Sequence, residues 1–207
     1  MSTAEAGARI GLLMAAGRGS RFDPSGYADK LLAPVDGVAA VLRAHAALAA
    51  AVDAVIAVVR PDARGERVAA PLRQAGCEVA VCADADHGMG HSLACAARHA
   101  ARRGPAVVVV MLGDMPFVRA DTVARIASQV RSAADIVAPH HAGRRGHPVA
   151  FGAAHLPALA DLQGDRGAAG LLARHRPIRL DVDDAGVLLD VDTPADLDRG
   201  GPPGEPG

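Results

Sequence analysis

The chain has 207 residues, with 22 Lys and Arg against 23 Asp and Glu and a formal net charge of -1. Half of it is hydrophobic but only 2% is aromatic. That composition supports the core of one domain, and it excludes both a base-stacking platform for single strands and a basic groove for nucleic acid. No run approaches the ~18 apolar residues of a membrane span, and residues 1–9 lack the basic and apolar regions of a secretory signal. Cys77, Cys82 and Cys95 are odd in number and lack C-x-x-C spacing, so they predict reduced thiols and a cytoplasmic protein.

In chain order, Ile10 to Ala15 predicts a buried strand that breaks at Gly17 and Gly19. Val38 to Ala51 predicts a helix, Ala54 to Val59 a second strand and Arg64 to Ala75 a helix stopped at Gly76. Glu78 to Cys82 predicts a third strand and Ala83 to Met89 a loop, with a helix over Ser92 to Arg103. Ala106 to Leu112, the most apolar stretch, predicts a strand that runs directly into Gly113-Asp114-Met115-Pro116. A helix over Arg119 to Arg131 and a short strand over Asp135 to Ala138 follow. This alternation predicts an α/β fold with a mostly parallel sheet between two helical layers.

The last third breaks that rhythm. His140 to Gly152 reads as a hairpin or loop, Leu156 to Leu162 and Gly167 to His175 as short helices, and Pro177 to Val182 and Val187 to Leu189 as strands. The expectation is a cap over the sheet within one domain of residues 1–199, since so short a piece cannot build its own core. Residues 200–207, all Gly, Pro and one Glu, predict a disordered tail.

Ligands of such sheets bind beyond the carboxyl ends of the strands. That rule brings Gly17 to Lys30, Ala83 to Ser92 and Gly113 to Pro116 to one cleft. Glycines expose backbone N–H groups, and with Arg18, Arg21 and Lys30 nearby they suit a polyphosphate. The G-x-x-x-x-G-K-[ST] string of a P-loop is absent, and a dinucleotide fingerprint fails at Phe22. Asp114, leaving the most buried strand, is the leading candidate ligand for a hard cation shared with phosphate oxygens. Asp190 and Asp192 alternate along an extended segment and so face one side; Asp192 is preferred as a second ligand, with Asp190 as the alternative. Thr193, Pro194 and Asp196 also have the pattern of a plain helix start. Ser92 reads either as a helix cap or as a nucleotide contact. His87, His91, His140, His141 and His147 show no zinc-site spacing. His147, before Pro148, reads as a loop residue that touches substrate, and Gln163 to Gly167, with Asp165, reads either as an anion contact or as a plain helix start.

Taken together, these pieces resemble the molybdenum cofactor nucleotidyltransferases. They are Leu13-Met14-Ala15-Ala16-Gly17-Arg18-Gly19-Ser20-Arg21, Lys30, Gly88-Met89-Gly90-His91-Ser92-Leu93, Gly113-Asp114-Met115-Pro116, Gly146-His147-Pro148-Val149, Leu162-Gln163-Gly164-Asp165-Arg166-Gly167 and Asp190-Val191-Asp192-Thr193-Pro194. Within the MobA-like NTP transferases, the set is similar to the cytidylyltransferase (MocA-like) branch. The resemblance implies a Rossmann-like, glycosyltransferase-A-like fold in three layers. It implies transfer of CMP from CTP to molybdopterin, with Mg²⁺ as cofactor and a molybdoenzyme or its chaperone as partner. Arg21, Lys30 and Asp114 are then catalytic, with Ala15, Ala16, Gly17, Gly19, Gly88, Ser92 and Gly113 around the nucleotide. Asp114 and Asp192 would hold the metal, and His147 and Asp165 would lie on the acceptor side. Ala15-Ala16-Gly17 leans toward CTP over GTP. The stretch Phe22 to Asp29 is longer than the family's usual spacer. Alternatives are another phosphorylated acceptor, a dinucleotide oxidoreductase, and a non-catalytic pterin carrier.

Overall fold

The computed structural model describes residues 7–18, 22 and 29–197. The expectations for Gly19, Arg21 and the tail lie outside the described residues.

The first strand, β1 (Arg9–Met14), is followed by a small hairpin, β2 (Pro34–Val35) and β3 (Val38–Ala39). Asp36 and Gly37 turn it with φ of 49° and 77°, as a two-residue hairpin turn requires. Because Val38 and Ala39 pair back on β2, helix α1 begins only at Ala40 (Ala40–Ala49). There follow β4 (Ala54–Val59), α2 (Ala63–Gln74), β5 (Glu78–Val81), α3 (Met89–Ala101), β6 (Val107–Leu112) and α4 (Ala120–Ser128). The final third supplies β7 (Ile136–His141), β8 (Arg144–Arg145), β9 (Val149–Gly152), α5 (Leu156–Ala160), α6 (Ala169–Arg174) and β10 (Ile178–Asp181).

The main sheet runs β10-β7-β9-β6-β1-β4-β5, with β8 paired to β7. All pairs along β6-β1-β4-β5 are parallel, whereas β9 lies antiparallel between β6 and β7. This corrects the expectation of a cap: the last third completes the sheet. Val149, Ala150 and Phe151 are all buried, with Phe151 opposite both Val108 and Ile136. The strand is short and enclosed by Gly146 and Gly152, so its run carries no alternation to mark it as a strand. The predicted strand over Val187 to Leu189 is instead part of a 3-10 turn, Ala185–Leu188, fixed by Asp184, whose carboxylate accepts from Gly186 and Arg119 N–H.

Strand alternation feeds two cores. Leu13, Ala57, Val109 and Met111 face α1, α2 and α4 and pack with Val41, Leu48, Leu72, Val123 and Ile126. Ile10, Leu12, Ile56, Val58, Val108 and Val110 face the other way, onto Leu93, Ala97, Leu156, Leu159 and Leu171 of α3, α5 and α6. From β1 the chain winds outward through β4 and β5. It then returns through α3 to place β6 on the opposite side of β1. The winding reverses at β1 and β6, so a crevice opens beyond their carboxyl ends.

Candidate active site

A cleft of about 500 Å³ occupies that crevice. Ala16, Gly17 and Arg18 line it from the end of β1, Leu112 and Asp114 from β6, and Lys30 and Leu31 from the following turn. Gly88, Met89, Ser92 and Asp165 form the opposite wall. The ends of β1 and β6 are stitched together where Gly113 N–H donates to the Met14 carbonyl at 2.9 Å.

The acidic floor comes from two distant segments. Asp114 follows β6, and its carbonyl accepts the Val191 N–H at 2.8 Å. Val191 is fully buried, so its neighbours Asp190 and Asp192 turn toward Asp114. Ligand oxygens of Asp114, Asp190 and Asp192 all lie within 4.8 Å of one another. Both alternatives from the sequence therefore reach the same place. The helix-start reading of Thr193 to Asp196 is equally correct: the Asp196 carboxylate accepts from Thr193 N–H at 2.7 Å and from its hydroxyl at 2.8 Å. That cap holds the end of the acidic segment still.

Lys30 Nζ lies 2.6 Å from Asp114 Oδ2 and 2.8 Å from Asp192 Oδ1, with only 11% of its side chain exposed. Burial by itself lowers the Lys30 pKa, but the ion pair and hydrogen bond with Asp114, then those with Asp192, outweigh it and raise the pKa above the ordinary 10.5. The ammonium is therefore charged throughout the physiological range. Asp114 Oδ1 is sealed from solvent and has no hydrogen-bond partner among the described residues. Three convergent carboxylates with one orphaned oxygen fit a hard divalent cation, whose ligands are carboxylate and phosphate oxygens.

The wall opposite explains the Gly-Met-Gly-His string. Helix α3 starts at Met89, three residues before the expected start, with Gly88 as its N-cap at φ 115°. Ser92 is thus inside the helix, not its cap; it is buried and borders the cleft. A Cβ on Gly88 would fall 2.1 Å from Asp165 Oδ1, and one on Gly90 would fall 2.5 Å from the Gln163 carbonyl. Both glycines exist so that residues 163–165 can lie directly on the helix start. Gly90 N–H donates to the Gly164 carbonyl at 2.7 Å, and Gly164 N–H donates to His91 Nδ1 at 3.1 Å. Asp165 is thereby brought to the cleft.

Two expected nucleotide contacts do not reach the cleft. Ala15 points into the core against α1 and is 3% exposed. Gly113 lies beneath the floor, where a Cβ would be 3.0 Å from the Met14 carbonyl. His147 is also displaced: it lines a separate apolar slot of about 40 Å³ with Met14, Leu93, Val110 and Phe151. Its Nδ1 is sealed and unpartnered among the described residues. Burial, reinforced by Arg145, holds its pKa below 6.5 despite the opposing pull of Asp114 and Asp190. It stands behind the acidic floor as a neutral ring.

Several residues were not anticipated. Asp86 borders the cleft and pairs with Arg18 at 3.0 Å and Arg60 at 2.6 Å. Its pKa is lowered by hydrogen bonds, first from Arg60 and then from Arg18. Asp29, immediately before Lys30, is buried and paired to Arg64. Its position next to Lys30 was the only hint in the sequence.

Residues 11–178 match the MobA-like NTP transferase domain. The chain belongs to this family. A MobA-like NTP transferase is a nucleotidyltransferase, and a nucleoside triphosphate is the substrate that the cleft and its cations suit. The chain is 29% identical over 198 residues to the purine catabolism protein PucB of Bacillus subtilis (strain 168), spanning 91% of this chain and 94% of that one. It is similar to Rv0371c of Mycobacterium tuberculosis H37Rv, with 31% identity, a TM-score of 0.76 and coverage of 96% of this chain and 98% of the other. A second structure of Rv0371c, a complex with manganese, has 31% identity and a TM-score of 0.71, covering 93% and 97%. Among the described residues, no helix of this MobA-like protein is long and apolar enough to cross a membrane.

Proposed function

We propose that this protein transfers a cytidylyl group from CTP to the terminal phosphate of a molybdopterin-type acceptor. The observation that carries the reading is the floor of the cleft, where Lys30 meets Asp114 and Asp192 and where Asp190 completes a three-carboxylate set. An acceptor phosphate oxygen attacks the α-phosphorus. The bond from that phosphorus to the bridging oxygen breaks, and pyrophosphate leaves with the charge. Such a step needs positioning and charge neutralisation, not an enzyme nucleophile. Asp114, Asp190 and Asp192 would hold a divalent cation, Mg²⁺ in this reading. When bound, that cation neutralises phosphate charge and aligns phosphate oxygens. The manganese complex of Rv0371c supports a divalent metal in this family. Lys30 and Arg21 hold the triphosphate, Ala16, Gly17 and Gly19 offer backbone to it, and Gly88 and Ser92 border the nucleoside. Asp165, exposed at the cleft, faces the acceptor. The product would pass to a molybdoenzyme or its chaperone, and the three free cysteines suit a reducing cytoplasm.

A different phosphorylated acceptor is the second reading. The observation that favours it is His147, which lies in the apolar slot and not on the cleft wall.

A thermal-shift panel of CTP, GTP, ATP and UTP, each with and without Mg²⁺, tests the proposal. A ligand at ~100 times its dissociation constant adds ~2.7 kcal/mol, roughly 5–10 °C for a domain of this size. The expected result is the largest shift with CTP and Mg²⁺ together, followed by pyrophosphate release once a molybdopterin acceptor is added. A larger shift with GTP overturns the nucleotide assignment. Release with a sugar phosphate but not with the pterin overturns the acceptor.

A further inference from the structure

We propose that Arg64 is a positioning residue for Lys30, acting through the buried carboxylate of Asp29; this rests on the reading of Lys30 as a triphosphate ligand. Lys30 carries its charge on a long flexible stem. Its carboxylate partners constrain only the head, so the other end must be set by the backbone at 29–32. That backbone is held by Asp29, which is 7% exposed. Asp29 Oδ1 accepts the Leu31 N–H at 3.0 Å, and its main-chain carbonyl accepts the Leu32 N–H at 2.9 Å. The remaining oxygen, Oδ2, accepts Arg64 Nε at 2.7 Å. Among the described residues Arg64 is the cation paired to this carboxylate, and a buried carboxylate stripped of such a partner is strongly unfavourable and must rearrange. The turn that aims Lys30 therefore depends on Arg64.

The same guanidinium makes a second contact. Arg64 Nη1 donates to the Arg18 carbonyl at the end of the β1 segment. Arg18 and Asp29 stand on either side of residues 19–28, so one side chain secures the chain where it leaves the first strand and where it arrives at Lys30. The planar fork of arginine reaches both acceptors from fixed directions; a lysine ammonium does not reproduce that geometry. The turn that carries Arg64 is capped and closely packed. Arg64 sits in the first turn of α2, capped by Asp62, whose carboxylate accepts the Gly65 N–H at 2.8 Å. A Cβ on Gly65 would fall 2.0 Å from the Arg60 carbonyl, so this turn is pressed onto the end of β4.

Two measurements on the full chain decide it. The first is a double-mutant cycle on kcat/KM for the nucleotide with Arg64→Met, Lys30→Met and both together. Each single variant is expected to lose ~10-fold or more, with the double no worse than Lys30→Met alone, because coupled residues do not add. Multiplied losses would overturn the proposal, since they make Arg64 independent of Lys30. The second measurement is the rate at which acetic anhydride acetylates Lys30, read by peptide mass mapping without nucleotide. The expected result is several-fold faster labelling in Arg64→Met, with lysine-free peptides serving only as recovery controls; an unchanged rate overturns the proposal. Wild-type kcat/KM in Lys30→Met would remove Lys30 from nucleotide binding, while the labelling rate would still decide whether Arg64 positions it. If Arg64→Met fails to fold, Arg64→Lys keeps a cation for Asp29 and is expected to show the same two effects in weaker form.

Discussion

Asp114 gathers most of the chemistry of the cleft at one side chain. One of its oxygens pairs with Lys30 at 2.6 Å while the other is sealed and unpartnered among the described residues. Asp114→Asn keeps the shape but removes one of the three carboxylate charges available to a cation and can turn a donor toward Lys30 in place of an acceptor. Turnover is expected to fall ~10²–10³-fold, the cost of losing one preorganised electrostatic group, with the circular dichroism spectrum unchanged. Turnover within twofold of the wild type would remove Asp114 from the reaction. Asp114 was legible because a carboxylate stood directly after the most apolar run. Asp29 and Arg64 were not, because their bond spans 35 positions and neither residue belongs to a local pattern.

At the scale of elements, the telling contact is between the start of α3 and residues 163–165. The glycines at 88 and 90 suggested a loop lying open to a nucleotide. Another segment of the chain lies against the side where their Cβ atoms would stand, while Gly88 still lines the cleft, and the cleft wall is the product of that docking. Gly90→Ala puts a methyl group where the Gln163 carbonyl stands, so residues 163–165 must shift. The expected cost is about 1–3 kcal/mol, typical of overpacking, or roughly 2–12 °C in Tm. Urea or thermal unfolding measures it, and a Tm equal to that of the wild type would mean the segment moves freely. Turn chemistry also explains the late start of α1: Asp36-Gly37 is a hairpin signal, and the helix-forming residues beyond it masked the two short strands.

For the whole molecule, the two cores on either side of one sheet leave little room for charge, and two histidines pay for it. Burial lowers the pKa of His45 below 6.5, and burial with Arg145 does the same for His147. The unfolded chain therefore binds protons that the folded protein refuses. Their contribution is whole above about pH 6.5 and is lost as pH falls below that value toward the folded pKa. The loss is at most about 1.4 kcal/mol per pH unit for each histidine. Urea unfolding between pH 7.5 and pH 5, read to about ±0.5 kcal/mol, should show stability falling with acidity, with a shallower fall in His45→Gln. An identical slope in that variant would exclude His45 as a source.

The sequence by itself determined the alternating α/β order, the place of the cleft beyond the first and fourth major strands, and Lys30 and Asp114 as its charged residues. Those features are written in local patterns, namely apolar runs of strand length, breaks at glycine and a polar residue at the end of a buried strand. Only the tertiary structure decided the rest. The antiparallel insertion of β9, the convergence of Asp190 with Asp192 on Asp114, the docking of residues 163–165 onto Gly88 and Gly90, and the retreat of His147 behind the floor all depend on which segments meet in space. Pairings between distant segments are set by the sum of many packing contacts, and no single stretch of chain carries that sum.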